Sequence, residues 1–325
     1  MTYVFGIDGG GTKTICVLMD ENNVVLGRGE AGPSNYQTLG IEQAKESIQL
    51  AIERAVFSAN IDPNINLKIE AICLGLAGVG RAKDIEIVQF VVQNLELANT
   101  LPVTRSLLPR NIVICSDCAI ALVGGTGHPV GIAVIAGTGS IVFGQNRQGE
   151  TKRVGGWGYI LGDEGSGYDI AVGGLQAALK FYDGRGDVTA LAEKFQGHLG
   201  LNNLEELVEV VYRRGWGVKE IAALAPIVDR AAAEGDRVAD GIIDNAVAKL
   251  TFSTKIAISA LFKPTEEFEI VTVGGVWGGD ANFRGRFETA IGAIAPKAQL
   301  ISPRYEPAFG AALLALNCYT NTRQV

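Results

Sequence analysis

A chain of 325 residues is long for one hydrophobic core, so two domains are the expectation. With 47% hydrophobic and 19% charged residues, it reads as a folded globular sequence rather than a disordered one. A net charge of −7 with no basic run argues against nucleic acid and anionic membranes as partners. No apolar run reaches the ~18 residues a membrane helix needs, and no charged leader precedes the first strand, so a cytoplasmic location is expected.

The first stretch sets the plan. Tyr3-Val4-Phe5-Gly6-Ile7-Asp8 runs into Gly9-Gly10-Gly11, and Thr12-Lys13-Thr14 opens a second apolar run, Ile15 to Leu18. β-Branched and aromatic residues on both flanks predict strands. Asp20-Glu21-Asn22-Asn23 makes a turn, and Val24-Val25-Leu26 begins a third strand. The glycines therefore join strand to strand. The Rossmann and Walker loops instead need a helix directly after their glycines. A glycine hairpin still lets backbone N–H groups approach a ligand closely, and phosphate is the natural guest. Asp8 beside it is placed to hold Mg²⁺, directly or through water. The alternative is a plain glycine-rich hairpin.

Apolar positions at helical spacing predict a helix over 41–59, ending near Asp62-Pro63. A strand follows over 68–76, then a helix from Asp84 to Leu95 and a strand over 111–115. Asp117 lies just past that last strand, where open α/β sheets form ligand crevices. Its competing role is to cap a helix beginning at Cys118.

From Val130 the opening pattern repeats. Strands at 130–136 and 140–146 flank Gly137-Thr138-Gly139-Ser140. Helices are then predicted over 169–181, 187–197, 204–214, 217–233 and 236–262, with a strand over 268–273. A last helix runs from Ala308, after Pro307, to about Tyr319. The five cysteines are an odd number without a secretion signal, which argues for free thiols. Cys115-Ser116-Asp117-Cys118 is a lone C-x-x-C, read as small residues at a strand end rather than an iron–sulfur or redox site.

Two phosphate hairpins, one per half, are the plan of the actin, Hsp70 and sugar kinase fold. Gly155-Gly156-Trp157-Gly158, Leu161-Gly162-Asp163-Glu164-Gly165-Ser166-Gly167 and Val273-Gly274-Gly275-Val276-Trp277 narrow the likeness. From about Tyr3 to about Leu316 the chain resembles the N-acetylglucosamine kinase branch of the BadF/BadG/BcrA/BcrD ATPase family. The resemblance implies an α/β, two-domain actin-like ATPase (ribonuclease H-like) fold with mixed sheets and a nucleotide cleft between domains. It places the N-terminal domain at 1–128 plus 307–325 and the C-terminal domain at 129–306. It implies an ATP-dependent kinase acting on the 6-hydroxyl of an amino sugar with Mg²⁺, and a homodimer as an assembly option.

Site residues carry over position by position. Asp117 becomes the general base that also contacts the sugar. Gly10, Gly11, Thr12 and Lys13, with Gly137, Thr138 and Gly139, become the phosphate cradles. Gly274, Gly275 and Gly278 hold the nucleoside, with Ala222 to Pro226 flanking the base. Asn35, Ser140, Gly156, Trp157, Gly158 and Asp163 become sugar contacts. The loop Gly75-Leu76-Ala77-Gly78-Val79-Gly80 lacks a serine found there in the animal enzymes, which leaves the amino sugar open among N-acetylglucosamine, glucosamine and N-acetylmuramic acid. An ATPase activator of a radical dehydratase and a non-catalytic sugar sensor are the competing readings. The zinc-binding cysteine cluster of ROK glucokinases has no counterpart in this sequence.

Overall fold

The computed structural model describes residues 2–61, 67–95, 103–105, 107–213, 215–263 and 265–323. The expected helix stop at Asp62-Pro63 and the end of the 204–214 helix at Arg214 lie outside these residues. The chain packs as two compact units, Met1–Val130 with Pro303–Val325, and Gly131–Ser302.

In the first unit, β1 (Tyr3–Gly9), β2 (Thr14–Asp20) and β3 (Val25–Ala31) form an antiparallel meander. A short helix, α1 (Tyr36–Leu39), and the long α2 (Ile41–Ser58) lead to β4 (Leu67–Leu76), which returns parallel to β1. Then come α3 (Ala82–Gln93), β5 (Val103–Arg105), β6 (Ile112–Ser116) and α4 (Asp117–Thr126). The sheet order is β3-β2-β1-β4-β5, with β6 also pairing β4 in parallel. On one face, Phe5, Leu18, Ile69 and Ile72 meet Ile48 and Ile52 of α2 and Val88 and Val91 of α3. On the other, Val4, Val17 and Ala71 meet the C-terminal helix, Pro307–Arg323, through Ala308, Ala311, Ala312 and Ala315. That helix comes very close. A Cβ at Gly6 would sit 2.2 Å from the Ala312 nitrogen and 2.3 Å from the Ala308 oxygen. A Cβ at Gly310 would sit 2.3 Å from the Gly124 nitrogen of α4.

The second unit repeats the opening. Strands β7 (Gly131–Ala136), β8 (Ser140–Gln145) and β9 (Thr151–Gly155) form the meander. A helical block follows: α5 (Gly167–Tyr182), α6 (Leu191–Leu199), α7 (Leu207–Arg213), α8 (Val218–Ala222), α9 (Ala225–Ala233) and α10 (Arg237–Leu261). Strand β10 (Phe268–Val273) then pairs parallel to β7, as β4 does to β1; α11 (Phe283–Ile294) and β11 (Ala298–Ile301) close the unit. The sheet order is β11-β10-β7-β8-β9.

The expected 217–233 helix is broken into α8 and α9. Pro226 at the second position of α9 lacks an N–H and cannot continue a helix from residues before it. The 187–197 helix starts late because Thr189 and the Ala190 N–H both donate to Asp236, at 2.7 and 2.6 Å. Five elements go beyond the sequence reading: α1, β5, β9, α11 and β11. Three are strands of five residues or fewer at sheet edges, and β9 has a single aliphatic side chain, Val154. In α11, Gly285 and Gly292 mask the buried Phe283, Phe287 and Ile291.

The close approach at β1 gives a paired test. Gly6→Ala should lower unfolding stability by about 3 kcal/mol, since backbone rather than a flexible side chain must move. Gly11→Ala, with nothing within 4 Å of its Cβ, should be stability-neutral in the same urea titration.

Candidate active site

In the first unit, parallel register brings the functional side chains to one sheet edge. Asp8 on β1 pairs with Gly75 on β4, and Gly75 with Cys115 on β6. Asp117 follows one residue past the end of β6, as the first residue of α4. Ser116 takes the cap position that sequence alone allowed for Asp117, and the Cys118 N–H donates to Asp117 Oδ1 at 2.9 Å. Burial pushes the Asp8 carboxyl up to about 6; the Asp117 and Glu306 carboxylates add to this and Lys13 opposes it. Asp8 and Asp117 are close enough to interact electrostatically, and their oxygens are the donors that a hard divalent cation takes.

The first hairpin turn is closed by the Gly10 N–H donating to the Lys13 oxygen, 2.9 Å. It is braced from behind. The Ser34 N–H donates to the Gly10 oxygen (3.0 Å), and the Ala77 N–H to the Gly9 oxygen (2.8 Å). The buried Thr14 hydroxyl bonds the Gly32 oxygen (2.7 Å) and the Ser34 hydroxyl (2.8 Å). Gly11, Thr12 and Lys13 stay exposed at the tip. Lys13 lies 3.8 Å from Glu30 with both side chains half exposed, so its charge is shared with a neighbour on β3.

Asn35 caps α1, its Oδ1 accepting from the Gln37 N–H at 3.1 Å. Gln37 Nε2 reaches the Gly78 oxygen at 2.7 Å. Beside it, the buried Asp84 accepts from Tyr36 Oη (2.6 Å), the Gly80 and Arg81 N–H groups (3.2 and 2.8 Å) and the Arg81 guanidinium (2.9 and 3.0 Å). The Arg81 guanidinium and Tyr36 hydroxyl hold this carboxyl well below the usual range. The Asn35 loop and the glycine loop are thereby locked together. Sequence reasoning missed this lock, because a buried aspartate in a first helical turn looks like an ordinary helix start.

In the second unit, the Gly137 N–H donates to the Gly139 oxygen (2.9 Å), closing a tighter turn. The start of α5 latches onto it: the Gly167 N–H donates to Gly137 O (2.7 Å) and the Tyr168 N–H to Thr138 O (3.3 Å). Ser140 is buried and spends its hydroxyl on the Glu164 oxygen, 2.8 Å away. Asp163 has a left-handed backbone, φ 59°, and its carboxylate sits over the hairpin. A Cβ on Gly139 would lie 2.6 Å from Asp163 Oδ2, so only glycine fits under it. Burial raises the Asp163 carboxyl, while the Ser140 and Gly158 N–H groups and Arg153 pull it back. Trp157 is 67% exposed between Gly156 (φ 69°) and Gly158 (φ 84°).

Next to the second hairpin is a cavity of about 580 Å³. Gly137, Thr138, Ala222, Pro226, Gly275 and Gly278 line it, together with Lys219, Asp229, Arg230 and Asp280. Cβ atoms on Gly137, Gly275 or Gly278 would meet nothing within 4 Å, so these glycines leave bare backbone facing open space. Gly274 does not line the cavity. At φ 113°, its Cβ would fall 2.3 Å from the Ala136 oxygen, so it serves the contact with β7. Trp277 is core, its Nε1 donating to Val273 O (3.1 Å) and its ring set edge-on to Phe283 and Phe287. Asp229, unremarked in the sequence, accepts from the Asp280 and Ala281 N–H groups (2.6 and 3.3 Å) and pins the glycine loop.

Residues 5–315 match the sequence profile of the BadF/BadG/BcrA/BcrD ATPase family. The chain belongs to this family. Among its relatives, an N-acetylmuramic acid/N-acetylglucosamine kinase of Clostridium acetobutylicum is 35% identical, over 97% of this chain and 98% of that protein. An N-acetyl-D-glucosamine kinase of Dictyostelium discoideum is also 35% identical, over 96% and 97%. A solved chain from Chromobacterium violaceum, provisionally named an N-acetylglucosamine kinase, superposes with TM-score 0.73 at 26% identity, over 97% of this chain and 98% of that one. A ROK family glucokinase from Streptomyces griseus in complex with glucose and AMPPNP superposes at 0.54 with 17% identity and shows the shared fold. The architecture of this BadF/BadG/BcrA/BcrD member is that of the actin-like sugar kinases. Among the described residues, no helix is long and apolar enough to cross a membrane.

The electrostatics of Asp8 give a pH test. Its carboxyl titrates near 6 when folded and near 4 when unfolded. Its contribution to stability is therefore full below about pH 4 and is lost as pH rises through 6. Asp8→Asn should stabilise the metal-free protein by about 2 kcal/mol at pH 8, and the gain should vanish at pH 4. Thermal melts at the two pH values check it; equal shifts at both would refute the charge argument.

Proposed function

We propose that this protein is an ATP-dependent kinase that phosphorylates the 6-hydroxyl of an amino sugar. N-Acetylglucosamine is the first choice of substrate, followed by glucosamine and N-acetylmuramic acid. The observation that carries the reading is the cavity of about 580 Å³ opening on the second glycine hairpin, in a chain whose other hairpin ends beside Asp117. Kinases acting on N-acetylglucosamine at 35% identity over nearly the full length support the substrate class.

Phosphoryl transfer asks a protein for positioning and charge more than covalent chemistry. Bare backbone at Gly137, Gly275 and Gly278 accepts the flat nucleoside and the phosphates. Thr138 offers a hydroxyl donor, and the Gly11–Thr12 turn a second set of N–H groups. Asp117 takes the proton of the acceptor hydroxyl as its oxygen attacks. Asp8, directly or through water, would hold Mg²⁺, which when bound offsets the phosphate charge. Asn35 and Asp163 bind sugar hydroxyls, each oriented by its own backbone partners.

A coupled ADP-release assay over a panel of amino sugars tests the assignment. ADP formation should rise well above the sugar-free rate when the right sugar is added; an ATPase rate indifferent to every sugar would refute the reading. Asp117→Asn should fold normally and lose about 10²–10⁴-fold in kcat. Gly275→Val puts a branched side chain into the cavity and should raise KM for ATP while leaving KM for the sugar within about twofold.

A further inference from the structure

The loop 155–162 carries three of the proposed sugar contacts, Gly156, Trp157 and Gly158, and ends at a fourth, Asp163. Its own backbone fixes the second half, where the Leu161 and Gly162 N–H groups donate to the Gly158 oxygen at 3.2 and 2.8 Å, but not the first. Gly155, Gly156 and Gly158 all have left-handed φ values of 76°, 69° and 84°. Trp157, Ile160 and Leu161 are 67%, 77% and 79% exposed, so burial does not anchor them. What does reach the loop is a side chain from the edge strand β9. The Arg153 guanidinium donates through Nη2 to the Gly156 oxygen. It also lies over the Trp157 indole, 4.9 Å from the ring centroid. Burial raises the Asp163 carboxyl and the Glu164 carboxylate adds to this, while the Ser140 and Gly158 N–H groups and the Arg153 cation oppose it.

We propose that Arg153 is the positioning residue of the sugar site: it fixes the 155–162 loop through Gly156, presents the Trp157 ring by stacking, and keeps Asp163 ready to accept from sugar hydroxyls. This rests on the amino sugar kinase reading above. A planar guanidinium is suited to the task, because one group stacks on an aromatic face and donates in its plane at once. Lysine can supply the charge but not the combination. The loop's other ties lie further along it, the Leu161 and Gly162 N–H groups turning back onto the Gly158 oxygen and Tyr159 meeting Tyr168 edge-on, and neither holds Gly156 or the Trp157 ring.

The experiment compares Arg153→Met with Arg153→Lys. Arg153 is exposed on an edge strand, so neither change threatens the fold. Arg153→Met should raise KM for N-acetylglucosamine about tenfold while KM for ATP moves less than about twofold. Removing the cation raises a neighbouring carboxyl, so the acid limb of kcat/KM for the sugar should shift to higher pH. Arg153→Lys should restore the acid limb but only part of the KM. Hydrogen exchange in the peptide covering 155–162 reads the loop without any turnover; it should quicken in Arg153→Met and stay unchanged elsewhere. Unchanged exchange, or equal rises in both KM values with the acid limb in place, overturns the proposal. A wild-type protein that phosphorylates no amino sugar refutes the kinase assignment instead, and the exchange result still decides whether Arg153 holds the loop.

Discussion

The parallel alignment of β1, β4 and β6 is the constraint on which the first unit depends. It sets Asp8, Gly75 and Cys115 in one row and leaves Asp117 a residue beyond it. Burial penalises the Asp8 charge and the Asp117 and Glu306 carboxylates add repulsion, so the Asp8 carboxyl is driven up to about 6. A sheet can hold such a pair only if it cannot splay. The C-terminal helix supplies that rigidity, lying so close that Gly6 and Gly310 have no room for a methyl group. Small residues thus pack densely behind the strands that carry the carboxylates.

The two glycine hairpins share a plan but differ in their bracing. The first is held from behind by Ser34, Ala77 and the buried Thr14 hydroxyl, leaving Gly11 to Lys13 outward. The second is held by the start of α5 and overlaid by Asp163. Its tip faces a cavity with several side chains of both charges, Lys219, Asp229, Arg230 and Asp280. The first hairpin is therefore open backbone beside a carboxylate pair, and the second a wall of a pocket. Their common sequence pattern concealed two different jobs.

Glycines divide in the same way. Gly137, Gly275 and Gly278 look onto open space, so a ligand can use the room. Gly139 and Gly274 are glycine because Asp163 and the Ala136 oxygen occupy the place of a side chain. All five stand in short glycine turns that follow an apolar strand in the sequence. Only the neighbours brought in by folding separate a glycine that leaves room from one that packs.

By itself the sequence determined the strand–glycine–strand hairpins, their repetition, the long amphipathic helices α2 and α10, and the position of Asp117 after a strand. These are local periodicities and turn chemistry, and they need no partner to be read. The family likeness also rested on contiguous motifs such as Gly155 to Gly158. Tertiary structure decided the rest. The edge strand β9 carries little apolar signal because it pairs on one side only, and the edge strand β11 is only four residues long. The break between α8 and α9, the Asp84 lock on Tyr36 and Arg81, and the grip of Asp229 on the glycine loop all join residues through contacts that no sequence period encodes. Arg153 belongs with them: on an exposed strand of Thr, Lys and Arg it reads as a solvated charge, and only the fold sets its guanidinium against Gly156, Trp157 and Asp163.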